Sequence, residues 1–210
     1  MDEIVDIFDD NFHQIGTALK SKVHREGIWH QTFHCWIVRK REGRAYILFQ
    51  KRAMQKEDSP GLLDISAAGH LIAGEKKEQG VREITEELGI LPSVDNMCYL
   101  GVRIATYYFR HIRNKEFCHV YLLENNTPLE QFQLRGEEVY GLAEVEITQG
   151  LKLFSNQVDH IECVFFYGEH SRKEMITIGV KDFLPRIDPY YLRICSVADQ
   201  FFSGYPYICI

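Results

Sequence analysis

Glu83, Glu86 and Glu87 stand at i, i+3 and i+4 within the stretch GHLIAGEKKEQGVREITEELGI, residues 69–90. On a helix that spacing sends all three carboxylates out of one face, where each like-charged pair costs roughly 0.2–0.5 kcal/mol. A divalent cation converts the repulsion into ligation, because Mg2+ and Mn2+ take the hard oxygen ligands that clustered carboxylates supply. Such an ion neutralises an anionic substrate and acidifies a bound water. Gly69 and Gly74 mark a tight loop before the helix, where backbone can approach a ligand closely. Arg82 precedes Glu83 and could pair with a glutamate to orient it. Arg52, Lys51 and Lys56 lie upstream and could hold phosphate, although a solvated strand end accounts for each equally well. His24, His30 and His70 fit a substrate phosphate contact, a cap on the N-terminal hairpin or metal ligation. Trp29, Trp36, Tyr107, Tyr108 and Phe109 could stack on a base, with core packing as the alternative. Taken alone, E-x-x-E-E is most often a solvated helix face, so the flanking residues decide.

Those flanks are Gly69, Glu75, Arg82-Glu83, Ile84, Glu86-Glu87, Gly89 and Ile90. Together they resemble the Nudix box, G-x5-E-x7-R-E-U-x-E-E-x-G-U, where U is a bulky aliphatic. One departure stands out: six residues, Lys76 to Val81, separate Glu75 from Arg82 where the pattern has seven. The shortening falls at the loop-to-helix junction and leaves the Arg82–Ile90 half intact. Upstream, AYILFQKR at 45–52, Ser59-Pro60-Gly61, Leu63 to Ser66 and Ala68-Gly69-His70 are similar to the isopentenyl-diphosphate-isomerase-like branch of the family. So are Asp9-Asp10 and Ile15 to Ala18, followed by His24 and His30. The resemblance covers roughly residues 1–155.

The resemblance implies an α/β (α+β) fold, a Nudix-type α/β/α sandwich with a mixed curved sheet. It also implies a pyrophosphohydrolase acting on a nucleoside diphosphate linked to another moiety. Mg2+ or Mn2+ would be held by Glu83, Glu86 and Glu87, with the Gly69 carbonyl. The general base varies in the family, and Glu137 and Glu138 are the later candidates here, Glu138 standing just before an apolar run. Two alternatives remain. True isomerases carry a catalytic cysteine directly before the Gly-His pair; Ala68 stands there and offers no proton. A catalytically silent binding or regulatory protein is the other, and the intact glutamate set argues against it. No G-x-S-x-G, P-loop or HExxH pattern competes.

The elements that must position these residues are legible as patterns. Val81, Ile84 and Leu88 recur at three and four, which predicts a helix over Lys77–Leu88 that packs on a sheet. Gly89 suits its C-terminal cap, and Pro92 blocks continuation. Ile4–Phe8 and Gln14–Ala18 read as an N-terminal hairpin. His30–Val38 with Ala45–Gln50 reads as a second, and Cys163–Tyr167 with Met175–Val180 as another. Leu63–Ser66, Met97–Thr106, Phe117–Leu123 and Val139–Val145 are strand candidates, with Arg110–Lys115 as a turn. Ile147–Phe154 and Asp188–Phe202 read as helices. The expected division is a Nudix domain over 1–158 and a C-terminal extension over 159–210, packed on the domain.

Composition bounds the rest. The chain has 210 residues, 45% hydrophobic and 26% charged, with a net charge of -6. No basic run favours nucleic acid, and apolar stretches such as Cys163–Tyr167 fall far short of the ~20 residues a membrane span needs. The start, Met1-Asp2-Glu3-Ile4, lacks the features of a secretory signal. Six cysteines with no CxxC spacing read as reduced thiols of a cytoplasmic protein. The expected partner is a small-molecule diphosphate, with no nucleic acid or membrane. The apolar C-terminus, from Phe201, should pack on the body of a monomer or, less so, on a second subunit of a homodimer.

Overall fold

The computed structural model describes residues 2–92, 94–109 and 112–210. In chain order the elements are β1 (Ile4–Phe8), β2 (Gln14–Leu19), α1 (Lys20–Glu26), β3 (Trp29–Arg41), β4 (Arg44–Arg52), β5 (Leu63–Asp64), β6 (Ala67–His70) and α2 (Arg82–Leu88). There follow β7 (Met97–Phe109), β8 (Ile112–Glu124), β9 (Val139–Glu146), α3 (Ile147–Phe154), β10 (His160–Tyr167), β11 (Arg172–Gly179) and α4 (Tyr190–Phe202).

The aromatic and β-branched run HQTFHCWIV suits a buried strand, and it forms most of β3, the spine of the sheet. Along β3 successive side chains take opposite faces. Cys35 and Ile37 join Leu48, Ile84 and Leu88 in one apolar cluster, which seats α2. Trp36 and Val38 join Phe49, Leu153, Ile194 and Ala198 in the other, which seats α3 and α4. The result is a mixed α+β sandwich with helices on both faces. The sheet runs β11-β10-β9-β4-β3-β1-β2, with β6 and β8 also on β3. The β3–β8 pairing is parallel over Trp29–Val38 and Lys115–Glu124, while the other strand pairings are antiparallel. Residues past 159 continue the sheet, since Val164–Tyr167 pairs with Gly141–Glu144. Ile208 and Ile210 lie against the α3/α4 cluster, and the Ile210 N–H donates to the Leu100 carbonyl at 3.0 Å.

The structure differs from the sequence reading at four places. Gly69, read as part of a tight loop, lies within strand β6 and pairs with Phe33 of β3. The helix expected over Lys77–Leu88 is α-helical only from Arg82; Lys77–Val81 is a 3-10 helix. A 3-10 helix rises ~2.0 Å per residue against ~1.5 Å for an α-helix. It spans the approach to α2 with fewer residues, which accommodates the shortened spacer. Gly80 makes that tight segment possible, because a Cβ there would lie 2.5 Å from Phe33 Cβ. Arg110 and His111 of the expected turn lie outside the described residues, and Ile112–Lys115 already belong to β8. Helix α1 has no counterpart in the sequence reading: it has seven residues and buries Val23 alone, too little for a period to show.

Candidate active site

Strand β6 and helix α2 meet at Gly69 and Glu83. A Cβ on Gly69 would fall 2.0 Å from Glu83 Cδ, so glycine is what lets the carboxylate lie against the strand. Arg82, at the head of α2, gathers the acids around it. Its Nε donates to Glu75 Oε1 at 2.9 Å, and its Nη1 to Glu83 Oε1 at 2.6 Å and Glu86 Oε2 at 3.4 Å. Its Nη2 donates to the His70 carbonyl at 2.8 Å. The bond to Glu75 leads the effects that hold the guanidinium's pKa above its usual value. Glu87 is buried, and its Oε2 accepts from the Gln50 amide and the Ala68 N–H, each at 3.1 Å. Burial, and then the charge of Glu83, push Glu87 up to about 8; burial raises Glu83 as well. Desolvated carboxylates pushed toward protonation are the environment a hard divalent cation relieves.

Gly69, His70, Arg82, Glu83, Glu86 and Glu87 line a cavity of about 390 Å3. Its wall also carries Lys20, Arg52 and Lys56. Arg52 donates to Asp58 Oδ1 at 2.5 Å, and Lys56 pairs with Glu138, which itself lines the cavity. Lys51 does not reach it. Side chains alternate along β4, and with Gln50 and Arg52 on the cavity side, Lys51 turns away to lie over Tyr140 and Phe165, 5.9 and 5.5 Å from their ring centres.

The three histidines converge. His24 Nε2 and His70 Nε2 are 2.9 Å apart, and one ring nitrogen from each of His24, His30 and His70 lies within 4.8 Å of the others. His24 and His70 line the cavity, whereas His30 is fully buried and sits behind its wall, which removes it from direct substrate contact. His30 Nδ1 donates to the Ile28 carbonyl at 3.0 Å, so its neutral ring keeps a bare lone pair on Nε2, an atom without a protein partner 4.0 Å from Glu116 Oε1. Burial keeps His24 down at about 4 and lowers His30 and His70 too. Neutral imidazoles this close fit metal ligation. His34, Glu116 and Cys118 form a second close trio, but burial pushes the Cys118 thiol up to about 12 and keeps it protonated. Among the described residues Glu83, Glu86 and Glu87 form no such trio; Arg82 bonds to both Glu83 and Glu86.

Sequence reasoning missed Lys20, His34, Gln50, Asp64, Glu116 and Arg186, all placed at the cavity or against Glu87. Gln50 was available from the alternation that removes Lys51. Arg186 had no signal, since it comes from the C-terminal region that resembles nothing named. Of the aromatic candidates, Tyr107 lines the cavity. Trp36 is fully buried, Trp29 stacks on Phe117 at 4.7 Å, Tyr108 is exposed outside the cavity, and the Phe109 side chain lies outside the described residues.

The NUDIX domain family model matches residues 29–161. An uncharacterised Nudix hydrolase of Clostridium acetobutylicum is 34% identical over 193 residues, spanning 90% of this chain and 94% of that protein. An isopentenyl-diphosphate Delta-isomerase of Corynebacterium diphtheriae is 32% identical over 126 residues, 57% of this chain and 66% of the relative. A crystal structure of a MutT/nudix family protein from Enterococcus faecalis superposes with a TM-score of 0.55 at 13% identity, over 85% of this chain and 64% of that one, a likeness of fold alone. The box residues on α2, the sandwich that holds them and these matches agree: the chain belongs to the Nudix hydrolase family.

Proposed function

We propose that the chain cleaves a phosphoanhydride bond in a small diphosphate-containing molecule, with Mg2+ or Mn2+ held by Glu83, Glu86, Glu87 and the Gly69 carbonyl. The observation that carries this reading is the seat of Glu83 against Gly69, which a single methyl would close. Bound there, a divalent cation would neutralise the diphosphate and lower the pKa of a water. Arg82 is the positioning residue, holding Glu83 and Glu86 in place through its guanidinium. Lys20, Arg52 and Lys56 supply positive charge along the wall for phosphate oxygens. Glu138 faces the same cavity and takes the proton of the attacking water, a step worth typically ~10²–10⁴-fold. His24, His30 and His70, with Glu116 beside them, would hold a second cation at the same cavity.

The similarity to isomerases and the histidine cluster favour a second reading, the isomerisation of isopentenyl diphosphate. It lacks its acid: Ala68 fills the cysteine position, and Cys118, whose Sγ is 3.7 Å from Glu116 Oε2, is fully buried. The cytoplasm is the proposed compartment, on six cysteines that are all unbridged. Among the described residues no helix is long and apolar enough to cross a membrane. The acidic net charge of -6 suits a small-molecule partner better than nucleic acid, and a monomer or homodimer serves equally.

A panel of nucleoside triphosphates, ADP-ribose, CoA, dinucleoside polyphosphates and isopentenyl diphosphate, each with Mg2+ and with Mn2+, tests the reading. Phosphate or nucleotide release from any of them is expected. Conversion of isopentenyl to dimethylallyl diphosphate without hydrolysis anywhere would promote the isomerase, and no turnover at all would promote a silent binding protein.

A further inference from the structure

One stretch of the cavity wall is polar, with Thr32, His34 and Asp64 buried and Asn114 and Arg186 half-buried, and nothing in the diphosphate chemistry uses it. It adjoins the glutamates because His34 pairs across the sheet with Ala68, whose N–H holds Glu87. We infer that this wall selects a compact hydroxylated, non-aromatic group attached to the diphosphate, with the His34 Nε2–H and the Arg186 guanidinium as the specificity-determining donors. The inference rests on the diphosphate reading above and narrows it.

The protonation of His34 follows from its neighbours. Trp36 Nε1 can only donate, and it donates to the Tyr190 hydroxyl oxygen at 2.9 Å. The Tyr190 proton is then free to go to His34 Nδ1, 3.1 Å away. An imidazole that accepts at Nδ1 carries its own proton on Nε2 when neutral, and burial, with Arg186 and Arg103 nearby, keeps the ring neutral. Among the described residues no group accepts from that Nε2–H, although the ring lines the cavity. His34 is therefore a donor of fixed direction, set by Tyr190 of α4.

Arg186 is held just as firmly. Its Nη2 donates to Asp64 Oδ1 at 2.5 Å, and the Tyr191 hydroxyl donates to the same oxygen at 3.0 Å. A guanidinium has five N–H donors, so this pairing leaves others for a ligand. The Asp64 carboxylate is an acceptor on the same wall. Hydroxyl groups both donate and accept, and they match a wall that sets the His34 and Arg186 donors beside the Asp64 carboxylate. A hydrocarbon would strand the His34 Nε2–H and the remaining Arg186 N–H groups, a penalty that makes polar pockets reject apolar analogues strongly. A nucleobase needs flat faces to stack between, and the described wall offers one aromatic ring other than histidine, Tyr107.

The test compares ribose 5-diphosphate with isopentenyl diphosphate, which carry the same charge and differ in the attached group, and with inorganic pyrophosphate as the diphosphate alone. Binding to the full chain in Mg2+ is measured by calorimetry. Ribose 5-diphosphate is expected to bind about tenfold or more tighter than either other probe, one to two hydrogen bonds' worth. His34→Leu should remove that advantage and leave pyrophosphate affinity unchanged, while His34→Gln, which keeps an N–H donor, should restore part of it. Isopentenyl diphosphate binding as tightly as ribose 5-diphosphate would overturn the inference, and so would an advantage that survives in a folded His34→Leu. The wild-type comparison decides alone if His34→Leu does not fold. Pyrophosphate binding with no preference leaves the diphosphate reading standing and refutes this one. Absence of binding by all three probes refutes the diphosphate reading and this inference with it.

Discussion

Gly69→Ala would place a methyl carbon 2.0 Å from Glu83 Cδ, and the carboxylate must leave. A misplacement of ~1 Å in a catalytic group can cost ~10²-fold, so kcat in Mg2+ should drop by about that factor while the melting temperature stays within a few degrees. Near-wild-type turnover would show that Glu83 is not needed where it stands. Glu87→Gln separates chemistry from stability at the neighbouring position. A neutral amide removes a charge that burial and Glu83 disfavour, so the metal-free variant should melt at or above the wild type while metal-dependent turnover falls by roughly 10²-fold or more. A variant that is less stable and fully active would reverse the assignment. The spacing of these acids made them legible in the sequence, because i, i+3 and i+4 fix a face without further information. Lys51 was not legible in that way. The run Gln50-Lys51-Arg52 says that its middle residue opposes the other two, but only the packing of β4 says which side meets α2.

At the scale of elements, the approach to α2 is where local pattern and fold part company. Val81, Ile84 and Leu88 keep helical spacing through a segment that is 3-10 at its start, because periodicity records which residues face the core and not which hydrogen bonds the backbone makes. The two helix types differ little over one turn, and the choice falls to Gly80 and its close approach to Phe33. Gly80→Ala sets a Cβ 2.5 Å from Phe33 Cβ and Cγ, atoms near the backbone of the central strand that cannot swing aside. Overpacking of this kind costs about 1–3 kcal/mol, readable as a lower midpoint in urea unfolding with an unchanged slope. An unchanged midpoint would mean that the 3-10 segment lifts off β3 freely. Strands β1 to β4 and β9 to β11 were readable because their apolar runs end in turn residues. Helix α1 and the pairing of β3 with β8 were not: the first has one buried residue, Val23, and the second joins segments more than 80 positions apart by a parallel register that no local signal encodes.

For the whole molecule, the C-terminal region is continuous with the sheet through β10, and its last residues are pinned by Ile208, Ile210 and the Ile210–Leu100 hydrogen bond. Burying two such side chains is worth a few kcal/mol at ~25 cal/mol per Å2, so truncation after Gln200 should lower the melting temperature by several degrees; an unchanged melt would make the tail dispensable. The buried histidines set the response to acid. His24, His30, His34, His70 and His119 all titrate below the usual imidazole range of ~6.5, each chiefly through burial, with His24 and His119 down at about 4. Between those limits the unfolded chain binds more protons than the folded one, so stability rises with pH there and is lost as pH falls from ~6.5 toward 4. Glu87 works in the other direction. Its pKa of about 8 lies above the usual carboxylate value, so its contribution is present at low pH and is lost as pH rises toward 8. In EDTA the melting temperature should therefore fall steeply on the acid side, where several histidines act together, and decline more gently toward pH 8, where one carboxylate acts. Adding Mg2+ should flatten the second slope by giving the ionised carboxylate a partner. A melt that does not change between pH 4 and 6.5 would mean that the histidines protonate within the folded chain.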